Sequence, residues 1–450
     1  MSHDARLLLI TLAAIVGLIV LVARFKVNSF IALILASLFV GVCARMDLPK
    51  IGAAFQEGVG AVLGSIAMVI GLGAIIGKML AESGGAEQIA NTLVRLFGEQ
   101  RLHWTMMLVA FIVGLPVFFA VGLVLLVPIL FSIARETKTP YLHLVIPLVA
   151  GLSVAHGLVP PHPGPMAAIG LLGSAGSLDI GKVIFYSIII GLPVAALGGP
   201  IFGKLIARVV PVEMSGQFAA QFARRTSREL PGFGITLFTI LLPVLLMILA
   251  TLADLTLAKD HRLRAWAGFV GHPIVSLTIA TLFSFWSLGF ARGFDARQIL
   301  KFSEECLGAV AGALLVVGAG GGFNKVLIYS GVDKAISTLT ADMHLSPILF
   351  GWIVAALIRV ATGSATVAIT AAAGIVAPIA AAHPGTNLEL LVLSMGAGSL
   401  ILSHVNDGGF WLVKEYFNLT VEQTLKTWTV METIISLAAL VLILLLDLLI

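Results

Sequence analysis

The chain has 450 residues, of which 59% are hydrophobic and only 11% charged, and its mean hydropathy is +1.07. A soluble domain carries about 25% charged residues because charge must cover its surface, so this composition excludes a water-soluble globule and puts lipid around the chain. A net charge of +4 argues against a nucleic-acid partner, and Cys43 and Cys306 have neither metal-binding nor redox spacing.

The first apolar segment, Leu7 to Val22, runs straight into more apolar chain with no small-residue cleavage site, so it reads as a retained span and not a signal peptide. A bilayer core requires about 20 apolar residues per helix. Segments of that kind cover 6–23, 28–46, 58–80, 141–173 and 181–208, then 235–256, 268–289, 306–329, 388–413 and 430–449. Two apolar stretches, 104–135 and 346–382, are too long for one simple span. Each has Gly or small polar residues near its middle, Phe119-Ala-Val-Gly122 and Ala361-Thr-Gly-Ser-Ala-Thr366. Each reads as a re-entrant hairpin, a form that survives at depth only when protein or a watery cavity surrounds its non-helical backbone. Segments 84–101 and 332–342 are amphipathic and suit the membrane interface. A polar linker occupies 209–233 and carries Arg224, Arg225 and Arg228. The fold class expected is an all-α integral membrane protein with about ten transmembrane helices, two re-entrant hairpins and broken helices.

The two halves repeat. Glu57-x-x-Gly60-Ala-Val-x-Gly64 returns as Glu305-x-x-Gly308-Ala-Val-x-Gly312, and Lys78-x-Leu-x-x-Ser-Gly84 returns as Lys325-x-Leu-x-x-Ser-Gly331. The 248-residue offset of Glu57 and Glu305 also separates His156 from His404. An odd number of crossings per half would turn the second copy upside down, the inverted repeat of many secondary transporters. The side that carries Arg24, Lys26, Arg95, Arg101, Arg135, Lys204 and Arg208 outweighs the side with Arg6, Arg45, Lys50 and Lys182, which makes the first side cytoplasmic and both termini periplasmic.

The chemistry concentrates where the helices break. The first break reads His156-Gly-Leu-Val-Pro-Pro-His-Pro-Gly-Pro165, whose four prolines and two glycines cannot hold a helical ladder. The second reads Ser403-His-Val-Asn-Asp-Gly-Gly409. Broken helices expose N-termini that attract anions, and Pro165 suits the first turn of a restarting helix. Thr362, Ser364 and Thr366 add hydroxyls at the second hairpin tip, beside Gly363. Elements from both halves would then meet at mid-membrane around one small polar solute. Ionisable groups are costly there, so His156, His162, His404 and Asp407 are candidates for substrate or proton contact. The plainer alternative is that a histidine in a break hydrogen-bonds freed carbonyls. Arg359 either neutralises a substrate carboxylate, snorkels, or pairs within its hairpin. Asn406 either reads a hydroxyl or caps a helix. Glu57, Glu305, Lys78 and Lys325 fit capping or interface anchoring better than transport. No metal-ligand set, phosphate loop or nucleophile triad is present in the sequence, so an ATP-driven pump and an enzyme are both disfavoured and no cofactor is expected. A channel would require rings of like residues along an open path, and this sequence has paired breaks and hairpins instead.

At three stretches the chain resembles the gluconate:proton symporter (gluconate permease) family of the ion-transporter superfamily. They are His156 to Pro165, Gly363-Ser-Ala-Thr-Val-Ala368, and Ser399 to Thr420, the last continuing into Lys426-Thr-Trp-Thr-Val-Met-Glu-Thr433. The resemblance spans nearly the whole chain. It implies proton-coupled uptake of gluconate or a relative such as a ketogluconate, idonate, glycerate or D-serine across a bacterial inner membrane. It implies, by analogy, a homodimer and an elevator mechanism with scaffold 1–103 and 234–345 and moving parts 104–208 and 346–450. It places the substrate among Gly122, His156, Gly157, His162, Arg359, Thr362, Gly363, Ser364, Thr366, His404, Asn406 and Asp407. One position departs from the family pattern: the first hairpin tip has Ala120 where relatives tend to carry an acid. The expectation that follows is weak accumulation against a gradient, strengthened by Ala120→Asp or Ala120→Glu.

Overall fold

The structure, a computed structural model, describes residues 3–137, 139–173, 175–210, 212, 229–258, 260–332, 335, 346–405 and 407–450. Most of the expected interfacial segment 332–342 and most of the linker at 209–233 lie outside these residues, as does Asn406. Regular structure among the described residues is helical throughout. Helices α1 (His3–Ala23) and α2 (Ser29–Cys43) lead into α3 (Leu48–Glu82), which starts behind Asp47 with Pro49 in its first turn. Proline is tolerated there because the first-turn N–H has no helical partner anyway. The amphipathic α4 (Gly85–Phe97) follows, as expected for 84–101.

Seven helices among the described residues are long and apolar enough to cross a membrane, and eight if α3, bent by 41° between Gly64 and Ala67, counts as one. This is fewer than the ten spans expected. Leu9–Val22, Ser29–Cys43 and Leu388–Gly398 are apolar but shorter than a full span, and Ala365–Ala382, expected as a hairpin arm, is long enough to count.

The stretch 102–137 folds as two helices, α5 (Leu102–Gly114) and α6 (Phe119–Thr137). The turn between them is at 115–118, so Phe119 to Gly122 form the first turn of α6 and not the loop itself, which corrects the expected tip by a few residues. Pro116 contributes to the shift because it has no N–H to donate within a helix, although Leu115 before it keeps helical backbone (φ −56°, ψ −50°). Then come α7 (Leu142–Leu158), α8 (Pro163–Leu172) and α9 (Ile180–Val209), the last passing through a π-turn at Leu197–Ile201.

The second half begins with α10 (Phe233–Thr256), α11 (Arg262–Gly271) and α12 (Pro273–Arg292). Helix α13 (Ala296–Tyr329) opens on a capping box in which Asp295 accepts from Gln298 N at 2.8 Å and Gln298 accepts from Asp295 N at 3.0 Å. Helices α14 (Pro347–Thr362) and α15 (Ala365–Ala382) are separated only by Gly363 and Ser364, at the tip expected from sequence. Gly363 has φ +75°, a left-handed conformation that ends α14 and that a side chain would strain. Helix α16 (Leu388–Gly398), non-helical residues 399–405 and 407, α17 (Gly408–Tyr416) and α18 (Val421–Asp447, with a π-turn at Leu425–Thr429) follow.

Helices α3 and α13 pack together most extensively. A Cβ on Gly58 would lie 2.2 Å from Gly321 O, so only glycine allows the two backbones to approach this closely. Close approach through small residues is how helices associate where lipid removes the hydrophobic drive. Ion pairs brace the same contact reciprocally: Lys325 with Glu57 at 2.9 Å and Lys78 with Glu305 at 3.0 Å. From sequence these four residues fit capping or anchoring; in the structure they form this brace.

Candidate functional site

Each hairpin is docked against one break. In the first half, His162 Nε2 donates to Gly114 O at 2.7 Å, closing the last turn of α5 onto the start of α8. That carbonyl is freed because α5 ends there, so His162 does what the plainer alternative described. Phe118, at the turn, meets the rings of His156 at 6.5 Å and His162 at 6.0 Å, and the two histidine rings are 5.0 Å apart. His156 Nδ1 is buried with no hydrogen-bond partner. Helix α8 restarts at Pro163, with Pro165 in its first turn as expected. Two prolines there remove two N–H groups, so this N-terminus offers Gly164 N–H as its only free first-turn donor. Gly122 lies where a Cβ would come 2.7 Å from Leu152, and Gly157 where a Cβ would come 2.7 Å from Leu400. Both are close-packing positions, the second between the two breaks. Ala120 is exposed on the first turn of α6.

In the second half, Arg359 is buried at 3% exposure and bridges hairpin to break. Its Nη1 donates to Gly363 O at 2.6 Å and its Nη2 to Asp407 at 2.5 Å. Of the roles open from sequence, the geometry places it in pairing, both within its hairpin and across to the break. Asp407 caps α17 by accepting from Gly409 N at 2.9 Å and also accepts from Ser403 Oγ. His404 Nε2 donates to Val360 O at 3.1 Å, again a carbonyl near a helix end. Thr362 is buried and its hydroxyl donates to Ile358 O at 2.8 Å. Ser364 caps α15 by accepting from Val367 N at 3.4 Å, leaving the N–H groups of Ala365 and Thr366 free at the first turn beside the half-buried Thr366 side chain. This N-terminus, next to Arg359, is the strongest anion-attracting feature of the site.

The halves meet here. Gly157 packs on Leu400, Phe119 rests 5.3 Å from the Trp428 ring, and Arg359 is the charged group that acts on His156. Two clefts of about 610 and 330 Å³ lie elsewhere, around Asp254 and His272 and around His383 and Asn387. Neither holds the charged groups just described, so geometry and charge, not cavity size, locate the site.

Three residues of the stretch Lys426 to Thr433 carry the resemblance but have no role readable from sequence. Trp428 Nε1 donates to Ser403 Oγ at 2.7 Å, and Thr429 donates to Ser403 O. Glu432, one turn further along α18, is 1% exposed. The available signal was an acid early in the apolar run Val430 to Leu446, where a charge is expensive.

A gluconate permease of Pseudomonas aeruginosa is 53% identical over 449 residues, covering 100% of this chain and 99% of the relative. The high-affinity gluconate transporter of Escherichia coli is 41% identical, covering 96% and 98%. The D-serine transporter DsdX of Escherichia coli is 39% identical, covering 95% of each. The solved structure of MtrF from Neisseria gonorrhoeae shares the fold, with TM-score 0.66 at 14% identity over 94% of this chain and 96% of that one. With the GntP family permease model matching residues 6–449, the chain belongs to the GntP permease family, a family of membrane transporters and not of enzymes.

Proposed function

We propose that the protein takes up gluconate or a closely related sugar acid together with protons across the bacterial inner membrane. The observation that carries this is the free first turn of α15 beside the buried Arg359, with Ser364 and Thr366 hydroxyls at hand, in a chain that aligns end to end with gluconate permeases. The N–H groups and guanidinium would hold the carboxylate, and the hydroxyls, with Asn406, would read the polyol. Burying that carboxylate without such partners would cost several kcal/mol. Gluconate is an anion, so its uptake opposes an inside-negative potential at about 2.3 kcal/mol per charge per 100 mV, and a co-transported proton removes that cost.

The proposal extends to architecture. The motifs that recur at offsets of 248 and 247 residues support two inverted halves, with both termini periplasmic. The docking of each hairpin on its own break supports a unit of 104–208 and 346–450 that moves against 1–103 and 234–345, in a homodimer. Counterflow tests the function directly. Proteoliposomes loaded with unlabelled gluconate should transiently concentrate labelled gluconate, and idonate should compete better than D-serine. Failure of gluconate to drive counterflow while D-serine does so would transfer the assignment to the amino acid.

A further inference from the structure

We propose that Glu432 is the group that takes up and releases the co-transported proton. This rests on the proton-coupled reading above. Glu432 is 1% exposed, and neither of its carboxylate oxygens has a hydrogen-bond partner among the described residues. A buried, unpartnered carboxylate is expensive when ionised and far cheaper when protonated. It is also well placed. Trp352 Nε1 of α14 donates to Ser436 Oγ at 3.1 Å, which fixes how α14 and α18 pass each other. Two helical turns along α14 from Trp352 stands Arg359; one turn back along α18 from Ser436, about 6 Å, stands Glu432. One further turn back stands Trp428, bonded to Ser403 and through it to Asp407. Glu432 therefore lies in the seam between the Trp352–Ser436 bond and the Arg359–Asp407 pair.

The charged groups acting on it are Arg359 from α14 and Asp407 from the break, and the Ser153 hydroxyl approaches from α7. Helix α16 brings no other ionisable group than Glu389, at its far end beside Asp179. The α9 π-turn packs on α18 through Gly198 against Ile435. Along α9, Tyr186 and Lys182 stand about 18 Å or more from Gly198, while Lys204 and Arg208, about 9 and 15 Å from it the other way, act on His143. On α7, His156 stands one turn beyond Ser153 as a further titratable group near Arg359, its Nδ1 buried. Lys426 points to Glu422 at 2.6 Å. One cation, Arg359, thus faces two acids. Asp407 already holds it at 2.5 Å, so a substrate carboxylate arriving at Arg359 would be a third negative charge around a single positive one. Glu432 relieves this by carrying a proton while the substrate is bound. The coupling is reciprocal: a protonated Glu432 favours the substrate, and the substrate favours protonation. Release of the substrate to the cytoplasm removes that support and lets the proton leave.

The test compares wild-type protein, E432Q and E432D in proteoliposomes, using gluconate counterflow without a gradient and uptake driven by an imposed proton gradient. Wild type should accumulate gluconate under the gradient, weakly where position 120 lacks an acid but measurably above E432Q. E432Q, a permanent mimic of the protonated acid, should keep counterflow within about threefold and lose gradient-driven accumulation. E432D should keep accumulation with a displaced pH profile, and it decides the question if E432Q cannot be purified folded; an unchanged profile would then overturn the proposal. E432Q that accumulates like wild type overturns the assignment of Glu432 alone. Folded E432Q that loses counterflow and accumulation together also overturns it, by making the role structural. Wild type that exchanges gluconate but never responds to the gradient overturns the proton-coupled reading itself.

Discussion

Arg359 of the second hairpin and Asp407 of the second break are joined by a 2.5 Å ion pair, with the arginine side chain 4% and the aspartate side chain 13% exposed. Burying two charges is costly, and removing one partner leaves the other uncompensated, which costs about 3–5 kcal/mol. The single variants Arg359→Gln and Asp407→Asn should each lower thermal stability in detergent markedly. The double variant should lose clearly less than the sum of the two, a coupling of about 0.5–3 kcal/mol. Additive losses would mean that the hairpin and break are not held by this pair. Transport should stay low in all three, because the cation that would meet the substrate is gone or misplaced.

The reciprocal pairs Lys325–Glu57 and Lys78–Glu305 should behave differently. Their side chains are between 24% and 49% exposed. Solvent-exposed pairs contribute about 0–1 kcal/mol. Glu57→Gln and Glu305→Gln should therefore change stability little and leave gluconate affinity within about twofold, as surface substitutions normally do. A large loss of substrate binding in either would place these residues in the transport path and contradict the brace assignment.

Beneath those ion pairs the backbones leave no room for a side chain. Gly58→Ala would drive a methyl to 2.2 Å from Gly321 O, and Gly321→Ala would place one 2.5 Å from Gly58 O. Backbone cannot swing aside as a side chain does, so each change should separate α3 from α13 and destabilise by about 1–3 kcal/mol. Gly60→Ala is the control, because nothing lies within 4 Å of a Cβ there. The measurement is thermal unfolding of the three variants. Equal stability of Gly58→Ala and Gly60→Ala would refute the packing argument.

The substrate side chains should show themselves in affinity. Ser364→Ala and Asn406→Ala should weaken gluconate binding at unchanged expression, by about tenfold each if one hydrogen bond to a charged or polyol group is lost. His162→Ala and His404→Ala should instead lower stability, since both rings hold helix-end carbonyls. Unaltered affinity in both Ser364→Ala and Asn406→Ala would count decisively against this location.

Much of this was legible in the sequence because its signals are strong. The prolines of 160–165 announce a broken helix, and Gly363 with Ser364 announces a tip; the structure has both. Charged residues repeating at one offset marked Glu57 and Glu305, but their partners lie across a helix crossing that no local pattern encodes. The first hairpin turn is less legible, because the small residues of Phe119-Ala-Val-Gly122 suit a tip equally well yet continue as helix, and the turn lies at 115–118. Three glycines assigned to the substrate, Gly122, Gly157 and Gly363, have packing or backbone reasons that appear only in three dimensions. Glu432 was hidden for the opposite reason. It is the acid buried within the apolar part of its helix, and its importance comes from being buried with no hydrogen bond satisfying its oxygens among the described residues.

Position 120 offers a last test of how protons enter. Ala120 is exposed in the first turn of α6, where the aligned backbone N–H groups favour a negative charge. An acid introduced there would stand at the exposed start of α6, close to the tip that docks on His156 and His162. Ionised, it would repel an approaching sugar acid; protonated, it would not. Ala120→Asp and Ala120→Glu should therefore make uptake depend more steeply on external pH, several-fold weaker at neutral pH than under mildly acidic conditions, with the difference compressed at high salt. Ala120→Asn, which cannot titrate, should follow the pH profile of the unaltered chain. Uptake at a series of external pH values in proteoliposomes, with interior pH held fixed, measures this. If both acids leave the profile where Ala120→Asn leaves it, the first hairpin tip lies outside the proton's route and the search narrows to the seam between α14 and α18.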